Sequence, residues 1–73
     1  MNQMFIDVNF MNVEQLRAHY GVSNNSQLAK KIGKGRSTIK LWQDQGIPYG
    51  VQAIFQLETN GKLLADQNSK LKN

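Results

Sequence analysis

The feature that most constrains this chain is the spacing of small, glycine and apolar positions in residues 26–45, SQLAKKIGKGRSTIKLWQDQ. Ala29 is followed by Gly33 after four residues, by Ile39 after six more and by Trp42 after three more. Two short helices crossing steeply over a turn of about three or four residues need a small side chain where their backbones nearly touch, and Ala29 fits that place. They also need a residue tolerant of positive φ at the turn, and Gly33 supplies it without a Cβ penalty. Leu28 and Ile32 complete the inner face of the first helix, while Ile39 and Trp42 form the inner face of the second. Leu28, Ala29, Ile32, Gly33, Ile39 and Trp42 are thus the expected core of a helix-turn-helix.

Charge follows the same segment. Residues 25–45 hold Lys30, Lys31, Lys34, Arg36 and Lys40 against Asp44, which matches the whole net charge of +4. A localised basic patch attracts a polyanion and speeds encounter with it. Seventy-three residues make one small domain, and no cysteine is present to build a disulfide framework or a thiolate metal site. No apolar run approaches the roughly 20 residues of a membrane span, and the N-terminus lacks the pattern of a secretory signal. A soluble, cytoplasmic chain is expected, with no cofactor, no metal and no small-molecule substrate.

The chain on either side reads mainly as helix. Residues 3–10 alternate, with Met4, Ile6, Val8 and Phe10 on one side, which suits a short strand or an extended arm. Asn12 is placed to cap a helix from Val13, with Gln15 completing a capping-box-like pair and Gly21 ending it. A second helix is expected from about Ser26 to Ile32, capped by Asn24, Asn25 or Ser26. A third runs from Arg36 or Ser37 to Gln45, capped by Ser37 or its predecessors and stopped by Gly46. Pro48 suits the first turn of a fourth helix, whose apolar positions are Val51, Ile54, Phe55 and Leu57, and Asn60-Gly61 ends it. Residues 62–65 are expected to form a short strand, and 67–73 a polar tail. The predicted architecture is therefore a mainly α, small four-helix domain over residues 1–66, with a short N-terminal strand or arm and a short C-terminal strand.

If Ile39 and Trp42 face inward, the opposite face of the third helix carries Ser37, Lys40, Leu41 and Asp44, flanked by Arg36 and Gln43. These residue types match the edges exposed in a DNA major groove: Arg forks onto guanine, Gln pairs with adenine, Ser takes either role, and Leu meets a thymine methyl. Arg36, Ser37, Lys40, Leu41 and Gln43 are the candidate base readers. Asn25, Ser26, Gln27, Lys30, Lys31, Lys34 and Thr38 are the candidate phosphate contacts. Leu41 equally suits a subunit or core contact, and Asp44 suits a solvated or intramolecularly paired carboxylate. Lys30 and Lys31, about 100° apart on a helix, do not both point at one ligand.

Residues 19–63, HYGVSNNSQLAKKIGKGRSTIKLWQDQGIPYGVQAIFQLETNGKL, resemble the lambda-like phage repressor and Cro helix-turn-helix family. The Ile47-Pro48 pair after the third helix and the ending LETNGKL are similar to small Cro-type proteins, and HYGVSNNSQLAKKIG is similar to the DNA-binding domains of phage repressors. The resemblance implies a four-helix lambda repressor-like domain and a homodimer that binds double-stranded operator DNA with pseudo-twofold symmetry. It further implies repression of transcription in the cytoplasm of a bacterial host cell. The family's reading positions fall on Arg36, Ser37, Lys40 and Leu41. Lys34 departs from the pattern, because many relatives carry an apolar residue that anchors the turn.

The competing reading is a protein-interaction module, antitoxin-like or antirepressor-like, that uses the helical face to bind a protein partner. An enzyme is the least favoured class: five acids and a lone histidine, His19, without cysteine or a phosphate-cradling glycine motif, offer little catalytic machinery. A helix of about nine residues is only about 13 Å long and spans about four base pairs. Each good contact discriminates by about 1–3 kcal/mol, so one copy cannot single out an operator and a second copy is expected. The expected dimer surfaces are the arm at 4–10, the segment 61–66 and the fourth helix around Phe55.

Overall fold

The computed structural model describes residues 11–66; the N-terminal strand or arm and the polar tail expected above lie outside them. Four helices and no strand are present among the described residues: α1 (Val13–Tyr20), α2 (Asn25–Ile32), α3 (Arg36–Gln45) and α4 (Tyr49–Glu58). They fall into two compact units, Asn12–Ile47 with the first three helices and a second containing Met11 and residues 48–66. No helix among these residues is long and apolar enough to cross a membrane.

Local chemistry sets the boundaries in the first unit. Asn12 and Asn24 have extended backbones, and their side-chain oxygens accept from the backbone N–H of Gln15 and Gln27, each at 2.8 Å. Each bond satisfies one orphan donor in a helix's first turn, typically worth about 1 kcal/mol. Asn24 therefore starts α2 at Asn25, one residue earlier than expected. Both helices end on a left-handed glycine, Gly21 at φ 69° and Gly33 at φ 71°. The N–H groups of Gly33 and Lys34 return to the Ala29 carbonyl, the latter at 2.9 Å, which ends α2 and redirects the chain into the turn at 33–35.

The expected inner faces are largely realised. Leu16, Leu28 and Ile39 are fully buried, and Val13, Ala29, Trp42 and Ile47 are nearly so. Ile32 is only half-buried, because it sits in the last turn of α2 beside the exposed Gly33 and Lys34. Of the expected caps of α3, Ser37 or its predecessors, Gly35 takes the position with no side chain to offer, and Ser37 lies one residue inside the helix.

The second unit departs further from expectation. Pro48 is the N-cap of α4 rather than a residue of its first turn. The expected strand at 62–65 is absent, because the N–H groups of Leu63 and Ala65 are taken by side chains of α4 and of its C-cap residue, Thr59. Thr59 Oγ1 accepts from Leu63 N–H at 3.0 Å, Gln56 Oε1 from Ala65 N–H at 2.9 Å, and Gln52 Oε1 from Asp66 N–H at 2.7 Å. Gln52, Gln56 and Thr59 lie four and three residues apart, on one stripe of the helix. That stripe and Phe55 face inward, so Gln52 and Thr59 are buried while Ile54 (55% exposed) and Leu57 (78%) stand outside. Phe55 itself is buried and does not contribute to a surface.

Thr59 is the hinge of this arrangement, since its hydroxyl also donates to the Phe55 carbonyl at 2.8 Å. Thr59→Val keeps the volume and leaves the buried Leu63 N–H without an acceptor, which should cost about 1–3 kcal/mol. Urea unfolding checks the loss, and amide exchange at Leu63 should accelerate with it; an unchanged midpoint would show that the bond contributes nothing.

Candidate nucleic-acid interface

The turn at 33–35 brings the basic residues of two helices to one place. Ser26, Ala29, Lys30, Gly33, Lys34 and Arg36 line an open notch of about 340 Å³. Lys30 comes from the exposed side of α2, Lys34 from the turn and Arg36 from the first position of α3. Lys31 is also exposed but is not part of the lining, as expected from its 100° offset.

The two helix N-termini of this unit differ. The start of α2 is already occupied: Asn24 takes the Gln27 N–H, and the Gln27 side chain accepts from Ser23 N–H at 2.8 Å. The backbone donor of Gln27 is thus already engaged within the protein. The start of α3 has no side-chain cap. Its first-turn N–H groups and the positive end of the helix dipole stand beside Lys30, Lys34 and Arg36, an arrangement that favours a bound anion.

Along α3, Arg36, Ser37, Lys40, Leu41, Gln43 and Asp44 are all exposed; Ser37, Lys40, Leu41 and Asp44 stand opposite the buried Ile39 and Trp42, with Arg36 and Gln43 on the flanks. Thr38 is half-buried between the two faces. Leu41 is 50% exposed and is not a core residue of this chain. Lys40 donates to both carboxylate oxygens of Asp44, at 3.1 and 3.2 Å. Both side chains are more than half exposed, so this i,i+4 pair is worth only about 0.3–0.5 kcal/mol and yields readily to a better acceptor.

Sequence reasoning missed Arg17. Its Nη1 donates to Asn25 Oδ1 at 2.6 Å, and Asn25 Nδ2 donates to Gln43 Oε1 at 2.7 Å, which links α1, α2 and α3 by side chains. Three residues from three helices share no local spacing, so nothing in the sequence pattern signals them. Asn25, at the first position of α2, thus has two protein partners before any ligand approaches. Among the described residues no group of three or more His, Cys, Asp or Glu side chains comes together as a metal ion requires.

Comparison with protein families, with curated proteins and with solved structures finds no match to this chain. The reading of the site therefore rests on its own geometry.

Gly35 offers a direct probe of the uncapped start of α3. A Cβ there meets nothing nearer than Ser37 Oγ at 3.9 Å, so a side chain is accommodated. Gly35→Asp should cap α3 and stabilise the fold by about 0.5 kcal/mol. The same carboxylate should fill the anion seat, so the variant should elute from a heparin column at lower salt. Stability and polyanion affinity should move in opposite directions; retention unchanged on heparin would remove the start of α3 from the interface.

Proposed function

We propose that this chain is a sequence-specific double-stranded DNA-binding regulator of the lambda repressor-like class, without catalytic activity. In this reading α3 lies in the major groove, with Arg36, Ser37, Lys40, Leu41 and Gln43 toward the bases. Lys30, Lys34 and the start of α3 hold the phosphate backbone. The single observation that carries the reading is the notch joining Lys30, Lys34 and Arg36 at the N-terminus of an exposed helix whose other face is buried. Phosphate contacts there fix register, and side chains further along α3 supply discrimination.

One α3 of ten residues is about 15 Å long and reaches too few base pairs to define a site. The proposed regulator therefore acts as a homodimer on a pseudo-palindromic operator, with half-sites about 34 Å apart, and blocks transcription by occupying it. The exposed Ile54, Leu57 and Leu64 support self-association, because apolar side chains at such exposure gain from a second copy. The alternative reading is a protein-interaction module, antitoxin-like or antirepressor-like, that uses the helical face to bind a protein partner.

Binding selection from a random duplex pool, at low and near-physiological salt, tests the proposal. It should enrich a twofold-symmetric site, with affinity falling steeply as salt rises. Lys30→Ala and Lys34→Ala should weaken binding to all duplexes alike and lower the salt slope by about one unit per copy. Arg36→Ala and Ser37→Ala should change the enriched bases. No enrichment together with a flat salt dependence would defeat the proposal and favour a protein partner.

A further inference from the structure

The Arg17–Asn25–Gln43 chain has a direction that its chemistry fixes. A guanidinium carries five N–H donors and no acceptor, so Asn25 turns its Oδ1 to Arg17, and the observed separation is 2.6 Å. That leaves Nδ2, which only donates, to face Gln43, and Gln43 answers with Oε1 at 2.7 Å. The Gln43 carboxamide is thereby oriented with its oxygen toward α2. That bond leaves both N–H donors of Nε2 unused. Gln43 is an exposed residue on the flank of the α3 face that carries Ser37, Lys40 and Leu41.

From this polarity, and resting on the DNA-binding reading above, we infer that Gln43 reads its base as a donor only, with Arg17 and Asn25 as positioning residues that set its specificity. In the major groove guanine presents two adjacent acceptors, O6 and N7; thymine presents O4 and adenine N7; cytosine presents only the N4 donor. A donor-only amide selects guanine, where one NH₂ meets both acceptors, and rejects cytosine. The usual glutamine–adenine pair requires oxygen and nitrogen to face one base edge together. With Oε1 already accepting from Asn25, that pair has to use the oxygen's second lone pair, whereas contacts donated by Nε2 leave the relay undisturbed. The expected adenine preference of this residue is thus replaced by a guanine preference, set by a residue on a different helix.

Asn25→Asp inverts the polarity without changing shape. A carboxylate only accepts, so it holds Arg17 as an ion pair and takes Gln43 through Nε2, which turns Oε1 outward. An acid in the first turn of α2 also suits the helix dipole, so the fold is retained. Parallel selections from a random duplex pool with the wild type and Asn25→Asp read the result. The wild type should enrich guanine at one position of each half-site, and the variant should replace it there with cytosine or adenine. Relative affinity should change about fivefold or more at that position alone. An identical consensus, or an equal loss of affinity for every sequence, would overturn the inference while leaving the DNA-binding reading intact. A wild type that enriches no site would overturn both.

A DNA-free readout separates the relay from the reading. In the free protein, Gln43→Ala should move the side-chain NH₂ resonances of Asn25 upfield as the hydrogen bond is lost. Unchanged resonances would show that the relay does not form, whatever the chain binds.

Discussion

The left-handed conformation of Gly33 is the constraint on which the first unit depends. At φ 71° the chain reverses sharply enough for Lys34 N–H to return to the Ala29 carbonyl at 2.9 Å. An ordinary L-residue is strained there by about 1–2 kcal/mol, which is why glycine holds the position. Because α2 stops at that point and α3 starts after only Lys34 and Gly35, the buried faces of both helices close on one core, with Leu28, Ala29, Ile39 and Trp42 inside. The same reversal gathers Lys30, Lys34 and Arg36 around one notch. A single backbone torsion thus serves the packing and the charge distribution at once.

Electrostatics along α3 divide the labour among its exposed residues. Its N-terminus lacks a capping side chain and stands among cations, so it suits a bound anion. Further on, Lys40 and Asp44 neutralise each other at 3.1 Å, which moderates the positive field over the middle of the helix. Between those two in sequence, on the flank of the face, Gln43 is oriented by Asn25 and Arg17. Under the proposed function, the charged start would supply attraction and the exposed residues further along α3 discrimination.

How much of this was legible in the sequence follows from how local each cause is. Asn12, Asn24, Gly21 and Gly33 act within four residues of themselves, and the pattern alone placed the ends of α1 and α2 within a residue. The burial of Ile39 and Trp42 was likewise legible, because helical spacing assigns a face. The segment 62–65 was not. Its apolar pair is Leu63 and Leu64, but Thr59 and Gln56 take its donors from four and nine residues away, and Gln52 takes the next one, at Asp66, from fourteen. Burying Gln52 and Thr59 also turned Ile54 and Leu57 outward, a choice that apolar spacing alone does not reveal. The Arg17 relay was invisible for the same reason, since it depends on the packing of three helices.

The central claim is that the face of α3 and the notch beside it bind duplex DNA. Amide chemical-shift mapping of the labelled chain, titrated with a duplex it enriches, tests that claim most directly. Perturbations should concentrate at Ser26, Lys30, Lys34 and the exposed positions 36–44, with Ile39 and Trp42 affected less. Perturbations confined to residues 54–64, or none at all, would contradict the account.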